Sequence, residues 1–326
     1  MKISSGIEIS RYLTERTEKE IRDDLFTGLS SLEKNIPSKY FYDSAGSKLF
    51  EKITHLPEYY PSRTEKRILR DASPVISKNI YKGNIIVEFG SGDCSKISLL
   101  LDRIPPEHLS TLCYIPVDVC PDAVKESAGI LNEKFPEMNL HGVVQDFMKL
   151  HGIIPMCTPK LICFFGSTIG NLSPDDTELF LKMSRDLMNK GDRFLLGLDM
   201  VKDKQVLENA YNDSKGVTAA FNRNILNVVN RLAGTDFDPL LFEHTAFYNE
   251  NKSRIEMHLK AVKEMKVNSP HFPHTINISE GETIHTENSR KFTRNDISCF
   301  EGMAGMKVEN IYTDQKGWFS LVQFVA

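Results

Sequence analysis

The chain has 326 residues, 40% hydrophobic and 26% charged, with a net charge of −4. This is the balance of a soluble globular protein with one large domain or two small ones. It has no dense Lys/Arg tract for nucleic acid or an anionic membrane, no apolar run of membrane-spanning length, and no signal core in Met1-Lys2-Ile3-Ser4-Ser5-Gly6.

The first sixty residues read as helix and loop, with Ile21, Leu25 and Leu29 on one helical face. Ser62-Arg63-Thr64-Glu65 has the form of a capping box and predicts a helix through Arg67-Ile68-Leu69. A βα alternation follows, with strands expected over 85–89, 112–117, 140–144, 161–165 and 194–198. Ser173-Pro174-Asp175-Asp176 opens a helix with a serine cap, a first-turn proline and two acids. Leu179, Phe180, Met183 and Leu187 give that helix its apolar face, and Lys190-Gly191 is expected to end it. Such alternation predicts an α/β fold with a doubly wound, mostly parallel, Rossmann-like sheet.

After Met200 the pattern changes. Residues 207–232 read as one long helical region, with Phe221, Ile225, Val229 and Leu232 on one face. Strand-like sequence follows over 244–248 and 254–262, and 318–325 reads as a closing strand. An insertion before the closing strands predicts a second, α+β lobe joined by the N-terminal segment. The expected division is 63–200 with 291–326, and 1–62 with 201–290.

The densest chemical signal is Asn84-Ile85-Ile86-Val87-Glu88-Phe89-Gly90-Ser91-Gly92-Asp93, an apolar strand running into a glycine turn and a helix from about Ser95. Gly90 and Gly92 allow a cofactor to approach the backbone. A dinucleotide site requires a third glycine for helix–strand packing beside the pyrophosphate, and Ser95 stands there instead. A cofactor without pyrophosphate fits better, S-adenosylmethionine being the common one; an ordinary structural turn is the alternative. Asp118 ends the second strand, where an acid accepts ribose hydroxyls or caps the next helix. Asp146-Phe147 ends the third and suits an adenine edge and face, or a cap and a core ring. Phe165-Gly166-Ser167-Thr168-Ile169-Gly170-Asn171 ends the fourth, at the carboxyl edge where ligands bind in such sheets. Tyrosines in Tyr40-Phe41-Tyr42-Asp43 and Leu56-Pro57-Glu58-Tyr59-Tyr60-Pro61 suit a pocket rim that holds carboxylate or cation, or packing between lobes. Arg254-Ile255-Glu256-Met257-His258-Leu259 and Ile284-His285-Thr286-Glu287-Asn288-Ser289 alternate as strands do, so Glu287 and Ser289 share a face. Cys94, Cys113, Cys120, Cys157, Cys163 and Cys299 form no C-x-x-C pair and read as buried free thiols; with histidines scattered, no metal site is expected.

Together these runs resemble the histidine Nα-methyltransferase family of ergothioneine biosynthesis. Phe41-Tyr42-Asp43, Gly46-Ser47, Leu56-Pro57-Glu58-Tyr59-Tyr60-Pro61, the 166–171 run, Phe221-Asn222-Arg223-Asn224 and Arg254-Ile255-Glu256-Met257 carry the likeness, in order, from about Ser38 to the C-terminus. The resemblance implies a class I methyltransferase sheet with a family-specific substrate lobe. It implies that Tyr42, Gly90, Lys96, Asp118, Asp146, Phe147 and Gly166 surround S-adenosylmethionine. Tyr59, Asn171 and Tyr211 would hold the amino and carboxylate ends of L-histidine, with Tyr59 and Asn171 positioning the amino group and no general base assigned. Met257, Glu287 and Ser289 would surround the imidazole. The activity implied is N-methylation of the α-amino group of free histidine to its betaine, hercynine, by a cytoplasmic monomer; a tryptophan derivative or another amino acid is the alternative substrate. Asn288 and His258 are local departures beside the imidazole residues, with room to reshape the pocket wall.

Overall fold

The computed structural model describes residues 2–4, 7–13, 17–156 and 159–326. Along the chain come β1 (Lys2–Ser4), β2 (Ile7–Arg11), α1 (Glu18–Ser30), α2 (Ser44–Thr54) and α3 (Tyr60–Ile76). The alternating part holds β3 (Ile85–Phe89), α4 (Ser95–Leu101), α5 (Pro106–Leu109), β4 (Cys113–Asp118), α6 (Pro121–Lys134), β5 (Asn139–Val144), β6 (Lys160–Phe164), α7 (Pro174–Asp186) and β7 (Arg193–Asp199). Then follow α8 (Lys204–Tyr211), α9 (Val217–Ala233), β8 (Phe242–Asn249), β9 (Arg254–Ala261), β10 (Met265–Val267), β11 (Ile276–Ile278) and β12 (Thr283–Arg290). The chain closes with α10 (Arg294–Ala304), β13 (Lys307–Thr313) and β14 (Phe319–Val325). Two compact units result: Met1–Leu13, Pro61–Val201 and Phe292–Ala326 form the first, Thr14–Tyr60 and Lys202–Lys291 the second. Among the described residues no helix is long and apolar enough to cross a membrane.

The first unit is built on a nine-stranded sheet in the order β1-β2-β5-β4-β3-β6-β7-β14-β13. From β2 to β7 every pairing is parallel, and β14 and β13 close the far edge antiparallel. Strands buried on both faces require apolar side chains at successive positions. In β3, Ile86 packs into one core, while Ile85, Val87 and Phe89 pack into the other. The chain winds from β3 through β4 to β5 on one side, then from β6 to β7 on the other. The strand order reverses beside β3, and in such sheets that reversal opens a crevice at the carboxyl ends of the strands.

Four expectations change here. The first thirteen residues belong to the first unit, because β2 pairs with β5 in parallel, Ile7 opposite Leu140. Helix α3 starts at Tyr60, ahead of the expected capping box, with Pro61 in its first turn; Glu65 is buried and serves another purpose, described below. Helix α7 has the expected Ser173 cap, which accepts from the Asp176 N–H, but it ends at Asp186, ahead of Lys190-Gly191. Phe180 and Leu187 are buried as expected, but Leu179 is 57% exposed and Leu181 is buried in its place. Cys94 and Cys163 are buried free thiols, but Cys113 and Cys120 are half-buried and Cys299 is exposed, and Cys157 lies outside the described residues.

Glu88, in the middle of this sheet, is buried and accepts a hydrogen bond from the Tyr114 hydroxyl at 2.5 Å. Burial raises its carboxyl to about 8, against the pull of Tyr114 and Lys96. An unfolded glutamate titrates at about 4.3, so folding favours the protonated form. The stability from this group is complete below that value and is lost as pH rises through about 8. Glu88→Gln keeps a neutral acceptor at every pH. Its melting temperature, measured against wild type by calorimetry from about pH 5 to about pH 9, should shift in the variant's favour as pH rises. A difference that stays constant across that range would show that Glu88 does not titrate with folding.

The second unit contains the antiparallel sheet β12-β9-β8, the pair β10-β11, and helices α1, α2, α8 and α9. The expected single helical region is two helices. Asp213 accepts from the Val217 and Thr218 N–H groups, and Gly216, at φ 69°, starts α9 afresh. Asn222, fully buried on α9, donates to His244 Nδ1 at 2.9 Å and to the His258 carbonyl at 3.0 Å, and accepts from Thr286 Oγ1 at 2.7 Å. One amide thereby ties α9 to all three strands of the sheet.

Candidate active site

The first unit gathers Gly90, Lys96, Asp118, Asp146, Phe147, Gly166 and Asn171, which lie at or just past the carboxyl ends of β3, β4, β5 and β6. Gly90 and Gly92 have φ of 63° and 51°, a region that favours glycine. A Cβ at Gly90 would project into open space, with nothing within 4 Å. Asp118 Oδ1 accepts from the Cys120 N–H at 2.9 Å. Burial raises its carboxyl above the usual range, against the backbone N–H groups of Cys120, Gly92 and Val119. Asp146 caps a short turn through the Met148 N–H at 2.9 Å. Phe147 is partly buried, 5.2 Å from Phe164 and stacked at 6.4 Å on Phe89. Capping and ring packing, both open readings from the sequence, are thus realised at Asp146 and Phe147.

Gly166 has φ 81° and Ser167 φ 59°, so a non-glycine residue stands in the left-handed region, where strain collects at functional sites. Glu65 holds this turn. Its two carboxylate oxygens each lie 2.9 Å from the Gly166 N–H, and Lys96 Nζ pairs with Oε2 at 2.8 Å. A Cβ at Gly197 would fall 2.1 Å from Glu65 Oε1, so β7 has a glycine where this carboxylate passes. Asn171 is partly buried at the end of the short turn Thr168–Asn171 that follows.

Of the candidates in the second unit, Tyr42 is 39% exposed. Its ring meets Phe50 edge-on at 5.9 Å, and Tyr59 meets Tyr211 edge-on at 6.1 Å. Asp43, beside Tyr42, caps α2 through the Gly46 N–H at 2.8 Å and is held by Asn224 and Arg231, each at 3.0 Å. A Cβ on Gly46 would strike the Phe41 carbonyl at 1.8 Å. The 41–47 and 221–224 signatures therefore act largely as scaffold.

The sheet brings Met257, Glu287 and Ser289 together: Glu287 lies directly opposite Met257, and Ser289 opposite Ile255. The register slips between His285 and Glu287; this bulge lets Thr286 and Glu287 both be buried in succession. Beyond the strand, Lys291 donates to Ser289 Oγ at 2.8 Å and to the Tyr211 hydroxyl at 3.2 Å. Tyr211 donates to Ser289 Oγ at 2.7 Å. Tyr211 and Ser289, expected at opposite ends of a substrate, are therefore direct partners. Burial raises the Glu287 carboxyl to about 7, and the Lys291 charge pulls the other way. Asn288 and His258 are absent from this group: each alternates onto the opposite face, where His285 Nε2 meets Asn288 Oδ1 at 3.0 Å and the His258 ring stacks on Phe247 at 5.4 Å.

The first-unit group fits a nucleoside-type cofactor lacking pyrophosphate. Its glycine turn is open where a side chain would fill it, an acid ends β4, and an acid and an aromatic ring follow β5. Sequence reasoning missed Glu65 and Lys291. Pro61 in the first turn of α3 was the available signal that Glu65 lies inside the helix; no local pattern marks Lys291.

A family model described as histidine-specific, S-adenosylmethionine-dependent methyltransferase matches residues 21–326. The histidine N-alpha-methyltransferase of Mycolicibacterium smegmatis is 39% identical over 316 residues, 97% of this chain and 98% of that protein. The histidine N-alpha-methyltransferase of Mycobacterium tuberculosis is 38% identical over 302 residues, 92% of this chain and 93% of that one. An L-tryptophan methyltransferase of Psilocybe serbica is more distant, at 26% identity over 90% of this chain and 88% of its own. With the family model covering nearly the whole chain and the parallel sheet and glycine turn in place, the chain belongs to the histidine-specific, S-adenosylmethionine-dependent methyltransferases.

Proposed function

We propose that the protein methylates the α-amino nitrogen of free L-histidine, three times, to give hercynine, as in ergothioneine-type biosynthesis. The observation that carries this reading is the grouping of Met257, Glu287 and Ser289 on one face of β9 and β12. A carboxylate and a hydroxyl two residues apart suit a ring with one N–H and one bare nitrogen. Glycines 90 and 166, Asp118, Asp146 and Phe147 would hold S-adenosylmethionine, with Lys96 and Tyr42 beside it. When bound, that cofactor supplies a methyl group activated on sulfonium. Tyr59, Asn171 and Tyr211 are assigned to the amino and carboxylate groups, and their contribution is alignment. A free α-amino group has a pKa of about 8, so a neutral fraction exists at physiological pH and no general base is required.

The test is mass spectrometry of histidine incubated with the protein and saturating S-adenosylmethionine. The expected end product is the trimethylated ion, with mono- and dimethyl species preceding it. An end point at the monomethyl product would remove hercynine from the proposal, and unmodified histidine beside a methylated alternative amino acid would remove histidine itself.

A further inference from the structure

Lys291 is 1% exposed, and burying an ammonium is costly unless it is well partnered. Two of its partners are hydroxyls, Ser289 Oγ and Tyr211 OH; it stands 5.0 Å from the centroid of the Tyr211 ring, and its charge also acts on Glu287. An ammonium can only donate, whereas a serine hydroxyl has two acceptor lone pairs and one proton. Ser289 Oγ accepts from Lys291 and also from Tyr211. A phenol is the stronger acid and weaker acceptor of the two hydroxyls, and its oxygen already accepts from Lys291, so Tyr211 donates and the serine proton is left to point outside this triangle.

We propose that Lys291 is a positioning residue that fixes Ser289 as a hydrogen-bond donor, so that this face reads a ring nitrogen that bears no proton. The inference rests on the assignment of the imidazole to Glu287 and Ser289. A neutral imidazole presents one donor and one bare acceptor nitrogen. The Glu287 carboxylate meets the donor and the Ser289 proton the acceptor. An indole offers only an N–H, and a thiophene offers neither, so Lys291 selects against both while touching no substrate atom.

The experiment measures kinetics and calorimetric binding of histidine and β-(2-thienyl)alanine on enzyme loaded with S-adenosylhomocysteine for binding and S-adenosylmethionine for turnover. Lys291→Met should raise KM and Kd for histidine about 10- to 100-fold, the scale of a hydrogen bond involving a charged group, with a clearly smaller rise for thienylalanine, which shares only the Tyr211 end of the Lys291 contacts. Lys291→Arg, which keeps the charge and the donors, should restore most of the histidine affinity. Lys291→Gln keeps a donor amide at similar length; it covers the case in which the methionine variant fails to fold and should show the same split to a smaller degree. Equal losses for both amino acids, or an unchanged histidine KM in a folded Lys291 variant, would overturn the inference. If Ser289→Ala raises the histidine KM while Lys291 variants do not, the inference alone fails. Should Ser289→Ala and Glu287→Gln both leave histidine binding intact, the imidazole assignment fails and the inference falls with it.

Discussion

Replacing Glu65 with alanine is expected to lower stability by about 3–5 kcal/mol, the range for removing one partner of a buried charge pair, and to weaken cofactor binding. Glu65 is 0% exposed. Its removal leaves the Gly166 N–H without its acceptor and the Lys96 ammonium without its carboxylate. An N–H orphaned in this way loses its compensation for desolvation. The functional effect follows from the backbone: Gly166 and Ser167 occupy left-handed φ values that persist only where the surroundings impose them. Without Glu65 the turn relaxes, and the carboxyl end of β6 loses its shape. Glu65→Gln should be milder, since one amide oxygen can still accept from Gly166. Gly197→Ala should resemble Glu65→Ala, because its added carbon would fall 2.1 Å from Glu65 Oε1 and force the carboxylate out of place. Denaturant unfolding and calorimetry with S-adenosylhomocysteine measure both consequences. A Glu65→Ala protein that loses under about 1 kcal/mol, within the range of ordinary substitutions, and binds normally would show that the network does not hold the turn.

The parallel strands were the most legible part of the sequence. The five expected strands match β3 to β7 within one residue at each end, because strands buried on both faces make apolar runs bounded by turns. Near the margin of the sheet, β2 is only partly covered and lacks that signature. The alternation of Ile7-Glu8-Ile9-Ser10 is faint, and the first strands went unread. The break between α8 and α9 depends on Asp213 bonding to backbone groups four and five residues on, which apolar periodicity does not register. At β12 simple alternation was insufficient, since the bulge at Thr286 resets the phase before Glu287. Among the chemical groups, residues at strand ends were legible because the fold class says where ligands bind. Glu65 was misread: its partner Gly166 lies 101 residues away, and its spacing from Ser62 imitated a cap. Lys291 joins Tyr211 across 80 residues, a pairing that no local motif announces.

Glu287→Ala should redirect substrate choice rather than disturb the fold. Burial already holds this carboxyl at about 7, well above the value of about 4.3 for an unfolded glutamate. Its contribution to stability is therefore complete below that lower value and lost as pH rises through about 7. Above pH 7 the alanine variant sheds an ionised buried carboxylate, so its stability relative to wild type should improve there. For histidine the consequence is opposite. On the proposed assignment, removing the carboxylate would leave a ring N–H without its acceptor in a desolvated site, at a cost of about 1–3 kcal/mol, which is roughly a 5- to 150-fold loss in kcat/KM. Amino and carboxylate recognition is assigned to other residues, so the loss should fall on histidine alone. Met257 lies opposite Glu287 on the neighbouring strand; shortening it to alanine in the same variant enlarges the space beside the lost carboxylate and should favour an indole further. The decisive measurement is competition between histidine and tryptophan for wild type, Glu287→Ala and Glu287→Ala with Met257→Ala, with products counted by mass spectrometry. Preference for histidine should fall stepwise along that series. If a folded Glu287→Ala protein keeps the wild-type preference, the imidazole is read elsewhere, and β12 loses its assigned part in specificity.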